Sequence, residues 1–237
     1  KALGALVMVH AENGYLVDYL TRKHLAEGRY EPLWHAMSHP PEAEVEAVGR
    51  ALTLAGAIEA PIYIAHLTTA GALKRLREAR EKGQTVVAET CPQYLLLDIG
   101  RYQSPFLEAA KYVMSPPLRE KTDQEALWGG LASGAIQLVS TDHCPFTLED
   151  KGKSRGDFSQ IPNGLPGVET RLPLLYHFGV NGGRFSINRF VAMVATEPAR
   201  LLGLAPQKGA IAVGADADLV VFDPQKEVAL TEGNLHM

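Results

Sequence analysis

The sequence predicts an α/β fold built on a parallel sheet. Four short apolar runs, 6–9, 61–65, 85–88 and 135–139, each break off at polar residues, and segments of helical period lie between them. Continuous apolar runs of this length suit strands covered on both faces, the usual condition of a parallel sheet. The order strand, helix, strand, helix, strand, long insert, helix, strand is the alternation from which α/β folds are assembled.

The elements follow in order. The run 6–9 closes at His10, Glu12 and Asn13. A helix is expected over 41–60: Val45, Val48, Leu52, Ala55 and Ile58 recur every three to four residues, and Pro41 and Glu42 suit a first turn. The second strand, 61–65, ends at His66. A helix over 70–81 places Leu73 and Leu76 on one face, with Gly83 to stop it. The third strand ends at Glu89 and Thr90. The stretch 98–121, rich in Pro, Tyr and Ser, reads as an irregular loop crossing a site. A helix over 123–133 then leads to the fourth strand, which ends at Ser140, Thr141, Asp142 and His143. The stretch 145–168 is a second irregular segment. Ser186 is a suitable N-cap for a helix over 187–202, and Gly203 a stop. From Gly209 the character changes to short strands joined by a glycine-rich turn, with 219–222 strand-like and Asp223-Pro224 closing it. A boundary near 206 divides the chain into 1–206 and 207–237, the latter part of a small β domain.

Composition excludes several function classes. Of 237 residues, 46% are hydrophobic and 21% charged, which suits a globular protein with a substantial core. A net charge of −4 gives no basic face for nucleic acid. The mixed charges over 74–82 alternate in sign and read as a solvated helix face. Two cysteines, Cys91 and Cys144, make no disulfide framework and are expected to be reduced. No apolar stretch is long enough to span a bilayer, and the start lacks a leader pattern. A cytoplasmic protein is expected, with no membrane or nucleic-acid partner. The chain opens in a buried-looking strand and stops soon after another, so it is expected to be a piece of a longer protein.

The chemistry is positional. His10, His66 and Asp142 each follow an apolar run, and the C-terminal ends of parallel strands form the sites of such folds. Imidazole and carboxylate together suit zinc or a similar divalent ion. Such an ion makes hydroxide available at neutral pH, and Asp142 is placed to move the proton. Each residue also admits a plain role: either histidine bonding to a neighbouring loop, Asp142 capping its turn. Spacing alone supports an α/β metallohydrolase and no more. His143 is expected to be structural or to support a ligand. His24, His35, His39 and His177 read as surface or helix residues, and Met8, Met114 and Met193 as core. Gly164 and Gly167 suit a tight turn or a close backbone approach.

An ordered set of motifs goes further. "VHAENG" at 9–14, "AHLTT" at 65–69, "ETCPQYLLLD" at 89–98, "MSPPLR" at 114–119, "STDHCPF" at 140–146 and "IPNGLPGVETRLPLLY" at 161–176 resemble the D-hydantoinase and dihydropyrimidinase group of the amidohydrolase superfamily. The match runs over about residues 4–225. The resemblance implies a (β/α)8 TIM-type barrel with a small β-sandwich domain, a homotetramer, and two divalent metal ions, zinc or else manganese or cobalt. It implies ring opening of hydantoins or 5,6-dihydropyrimidines to N-carbamoyl amino acids by a metal-bound hydroxide. It makes His10 and His66 ligands of the more exposed metal, Asp142 a ligand of the other and the proton shuttle, and Ser115 and Asn163 main-chain binders of the ring.

Departures from the family pattern shape the remaining expectations. An earlier His-x-His, a carboxylated lysine and a following tyrosine have no match here, and Lys1 is not that lysine. The chain is therefore expected to be only the C-terminal part: about strands 5–8 of the barrel (1–206) and a truncated piece of the sandwich (207–237). The N-terminal part of the site and the carboxylated lysine would be absent, and the piece alone inactive. Allantoinase or dihydroorotase chemistry remains an alternative, with Arg119 the residue that keeps the latter open. So does a non-catalytic relative, which the retained His10, His66 and Asp142 argue against.

Overall fold

The computed structural model describes residues 4–154 and 156–236; Lys1 lies outside them. Four parallel strands form the sheet in sequence order: β1 (Val7–Val9), β2 (Ile62–Ile64), β3 (Val86–Thr90) and β4 (Leu138–Val139). Val7 pairs with Ile62, Ile62 with Val86, and Glu89 with Leu138. Parallel neighbours need a long crossover, and helices supply each one. Helices α1 (Gly14–Ala26), α2 (Leu33–Ser38) and α3 (Pro41–Ala57) lie between β1 and β2, and α4 (Ala70–Glu81) between β2 and β3. Helices α5 (Pro92–Leu96), α6 (Phe106–Ala110) and α7 (Lys121–Ala132) precede β4. After it come α8 (Leu148–Gly152), α9 (Arg171–Leu175), α10 (Ile187–Val191) and α11 (Glu197–Leu201).

Strand alternation divides the core. Ile62, Ile64, Val86, Ala88 and Val139 face the helices and join Leu52, Leu73, Leu76, Leu127 and Leu131 in the main core. Their neighbours Tyr63, Val87 and Leu138 point to the other face and form a second cluster with Leu6 and Leu201. This period of two is why the runs are apolar throughout. Met8 departs from the expected core role: it is 55% exposed, because β1 pairs with β2 alone among the described residues.

Helix α4 spans the expected residues. Thr69 caps it by accepting from Ala72 N at 3.2 Å, and Ala72, Leu73, Leu76 and Ala79 are its buried face. The helix expected over 187–202 is continuous but changes pitch: α10 and α11 flank a π-helical turn, Ala192–Thr196. Pro198 in the first turn of α11 has no N–H for an α-type bond, which accounts for the change. Helices α1 and α2 lie where the pattern predicts no element. In α1 only His24 is buried, so no apolar stripe announces it.

The expected sandwich strands do not form. Among the described residues beyond 206 there is no strand, and Ile211, Val213, Val220 and Val221 are largely exposed. Strand-like residues gain little from extended structure without a second sheet to bury their apolar face.

Candidate functional site

The parallel sheet carries the strand ends to one edge, and the register Val9↔Ile64 sets the exits of β1 and β2 side by side. His10 and His66 meet there: His10 Nδ1 lies 3.0 Å from His66 Nε2, with ring centroids 4.7 Å apart. His66 (φ 32°) and Asp142 (φ 48°) both hold left-handed backbone, which is costly for residues other than glycine. Asp142 is exposed at the exit of β4, and its charge acts on both imidazoles. Burial, then the neighbouring His10, lowers the pKa of His66. The adjoining Glu12 carboxylate raises that of His10 against its burial. Among the described residues no three His, Cys, Asp or Glu side chains close tightly enough to enclose an ion by themselves.

A buried charge network supports the pair, and the sequence pattern gives no hint of it. Glu12, its side chain 3% exposed, sits 3.2 Å from His10 Nε2 and 3.1 Å from His39 Nδ1. The contact to His10 has ion-pair rather than well-aligned hydrogen-bond geometry. Arg119 Nη2 lies 3.8 Å from the same carboxylate. Burial opposes the Glu12 charge, but His10, His39 and Arg119 outweigh it and hold its pKa well below the carboxylate range. Arg119 Nε donates to Thr68 Oγ1 at 2.9 Å, and its Nη1 donates to the His39 carbonyl. Glu44 accepts from Thr68 N at 2.8 Å and from Thr68 Oγ1 at 2.9 Å. His24 and His35 lie in helices α1 and α2, as the helix reading expects, but with His39 they are buried rather than on the surface. His35 Nε2 donates to the Met114 carbonyl at 2.8 Å, and burial pushes its pKa down to about 3. Arg119 is committed inside this network, so it is no arginine for a substrate carboxylate.

The loops 98–121 and 145–168 come together at Ser115 and Asn163. Ser115 Oγ donates to Asn163 Oδ1 at 3.4 Å, and Gly164 N donates to the Val113 carbonyl at 3.0 Å. Gly164 (φ 147°) is obligatory there, since a Cβ would stand 2.4 Å from the Cys144 carbonyl. His143 Nδ1 accepts from Gly167 N at 3.0 Å, tying the second loop to the exit of β4. Both cysteines are free thiols.

Imidazoles at the adjoining ends of β1 and β2, with a carboxylate at the end of β4, form a donor set of the kind that suits a divalent ion. The sequence profile of the Amidohydrolase family matches residues 3–235, and the chain belongs to that family. It is 50% identical to a D-hydantoinase of Geobacillus stearothermophilus over 100% of this chain and 50% of the relative. The solved structure of a D-hydantoinase from a Bacillus sp. AR9 superposes with a TM-score of 0.97 at 53% identity, over 99% of this chain and 51% of that one. A dihydropyrimidinase from Brevibacillus agri NCHU1002 gives a TM-score of 0.90 at 52% identity, over 92% of this chain and 47% of that one. The chain spans about half the length of the curated relatives it matches.

These matches correct the expectations built on a C-terminal part. The profile and the solved structures leave almost no segment of the chain unmatched, so the amidohydrolase fold is assigned to the chain as a whole. The label of a second half, strands 5–8, is dropped. The expectations of a site lacking its N-terminal part and of an absent carboxylated lysine came from family motifs without a match in the sequence, and the match of nearly the whole chain to the family overturns them.

Proposed function

We propose that the protein opens cyclic amides by hydrolysis, converting hydantoins or 5,6-dihydropyrimidines to N-carbamoyl amino acids. The observation that carries this reading is the convergence of His10 Nδ1 and His66 Nε2 at 3.0 Å. Glu12 beside His10 Nε2 favours the proton there, which leaves the Nδ1 lone pair facing His66. His66 Nδ1 is buried with no hydrogen-bond partner beyond its own residue, which leaves the ring's position to be fixed from its Nε2 side. Two imidazole lone pairs and a nearby carboxylate fit a divalent cation such as zinc, manganese or cobalt. His10, His66 and Asp142 are the residues that would hold it. When bound, a divalent ion polarises the scissile carbonyl and makes water acidic enough to attack near neutral pH.

The chain's own groups do the rest. Asp142 takes a proton from the attacking water and delivers it to the ring nitrogen as the carbon–nitrogen bond breaks. The main chain at Ser115 and Asn163 binds the ring's amide and imide groups and sets its face toward the strand ends. The match to D-hydantoinases over nearly the whole chain supports this substrate class. A homotetramer, a cytoplasmic location and a division of the chain near residue 206 belong to the same proposal. Among the described residues no helix is long and apolar enough to cross a membrane.

The test is ring opening of hydantoin and dihydrouracil by the full-length protein, with Asp142→Asn beside it. Turnover of either ring, falling by about a hundredfold or more in the variant, is expected. A parent protein that leaves both rings intact contradicts the reading.

A further inference from the structure

Helix α8 carries a buried cation that the proposed chemistry does not use. The Lys151 side chain is 3% exposed and makes no ion pair among the described residues. Asp150, the acid beside it, is occupied by Thr147 and Lys153. The Lys151 ammonium donates to the Val113 carbonyl at 2.9 Å and to the Pro162 carbonyl at 3.1 Å, and lies 5.9 Å from the Phe146 ring centroid. Burying an ammonium against neutral carbonyls is costly, and burial lowers its pKa to about 8. A neutral residue would tie down a loop at less cost, so the charge has to be explained by what it touches.

Both carbonyls belong to the ring-binding stretches. Val113 lies two residues before Ser115 and also accepts from Gly164 N, so its oxygen joins the two loops. The Pro162 carbonyl shares its peptide unit with the Asn163 N–H. A cation on that oxygen pulls charge from the amide and makes Asn163 N–H a stronger donor. The clamp therefore acts twice: it fixes the spacing of the loops, and it polarises a peptide at the ring-binding position.

We infer that Lys151 is a positioning residue for the cyclic substrate, holding the main chain at Ser115 and Asn163 in register and strengthening the Asn163 amide as a donor. The inference rests on the reading of those two positions as main-chain binders of the ring. It assigns Lys151 to ring binding rather than to bond breaking or metal retention. Because amide and imide groups are common to hydantoins and dihydropyrimidines, Lys151 serves both rings alike.

The test uses the full-length enzyme with Lys151→Met, which keeps the apolar stem, and Lys151→Gln, which keeps a neutral donor. Steady-state opening of hydantoin and dihydrouracil is measured, with bound metal counted in each preparation. In Lys151→Met, KM for both rings rises about tenfold or more. Its kcat stays within about twofold and its metal content matches the parent, the pattern of lost uniform binding. Lys151→Gln falls between the two. An unchanged KM in a folded variant, a loss confined to kcat, or loss of metal overturns the inference. So does failure of both variants to fold, which would make Lys151 purely structural. Failure of the underlying reading looks different: the parent enzyme itself opens neither ring.

Discussion

His10 works in two directions at once. Nδ1 faces His66, and Nε2 faces a carboxylate that is itself pinned by His39 and Arg119. A partner behind a ligating imidazole fixes its tautomer and ring orientation. Glu12→Gln is therefore expected to weaken metal retention about 10- to 100-fold, read by titrating a chelator against the loaded protein. Unchanged retention would remove Glu12 from the site. His10, His66 and Asp142 stand out in the sequence because each is a polar residue closing an apolar run. Arg119 and Lys151 close no such run, and Glu12, which follows His10 at the end of one, carries no mark of its burial. Their burial depends on segments 11 to 107 residues away in the chain, and no local period marks a charged residue that folding will enclose.

At the scale of elements, the four parallel strands place the candidate ligands, and the loops after β3 and β4 place the proposed ring binders Ser115 and Asn163. The strands are legible as continuous apolar runs, since both of their faces are covered, and α3 and α4 through the 3.6-residue period that burial imposes on their apolar residues. Helices α1 and α2 are not, since polar, half-exposed faces leave no stripe to read. Helix α8 is five residues long and held by a capping box between Thr147 and Asp150. Thr147→Ala is expected to cost about 1 kcal/mol in urea denaturation. KM should rise with it if α8 moves Lys151 away from the loops, and stay put if the helix holds its place.

The molecule as a whole should be acid-sensitive. Burial lowers the pKa of His35 and of His66 below the ordinary 6.5, so the folded state binds fewer protons than the unfolded chain. The stability they contribute is complete above 6.5 and is lost as pH falls, for His35 down to about 3. Glu12 adds a loss of the same sign below its ordinary 4.5. Glu44, whose pKa burial raises, and His10 oppose the trend, the latter weakly because its side chain is 47% exposed and solvent screens its share. The urea midpoint should fall steadily from pH 7 to pH 4, and His35→Gln should flatten the decline. A flat profile in the parent would contradict the buried neutral histidines.

A metal held between His10 and His66 should appear in anomalous diffraction at the zinc edge from zinc-loaded crystals of the full-length protein. A peak about 2.0–2.1 Å from both His10 Nδ1 and His66 Nε2, with Asp142 turned toward the centre, is the predicted result. No peak between those nitrogens in protein that opens hydantoin or dihydrouracil would contradict the account.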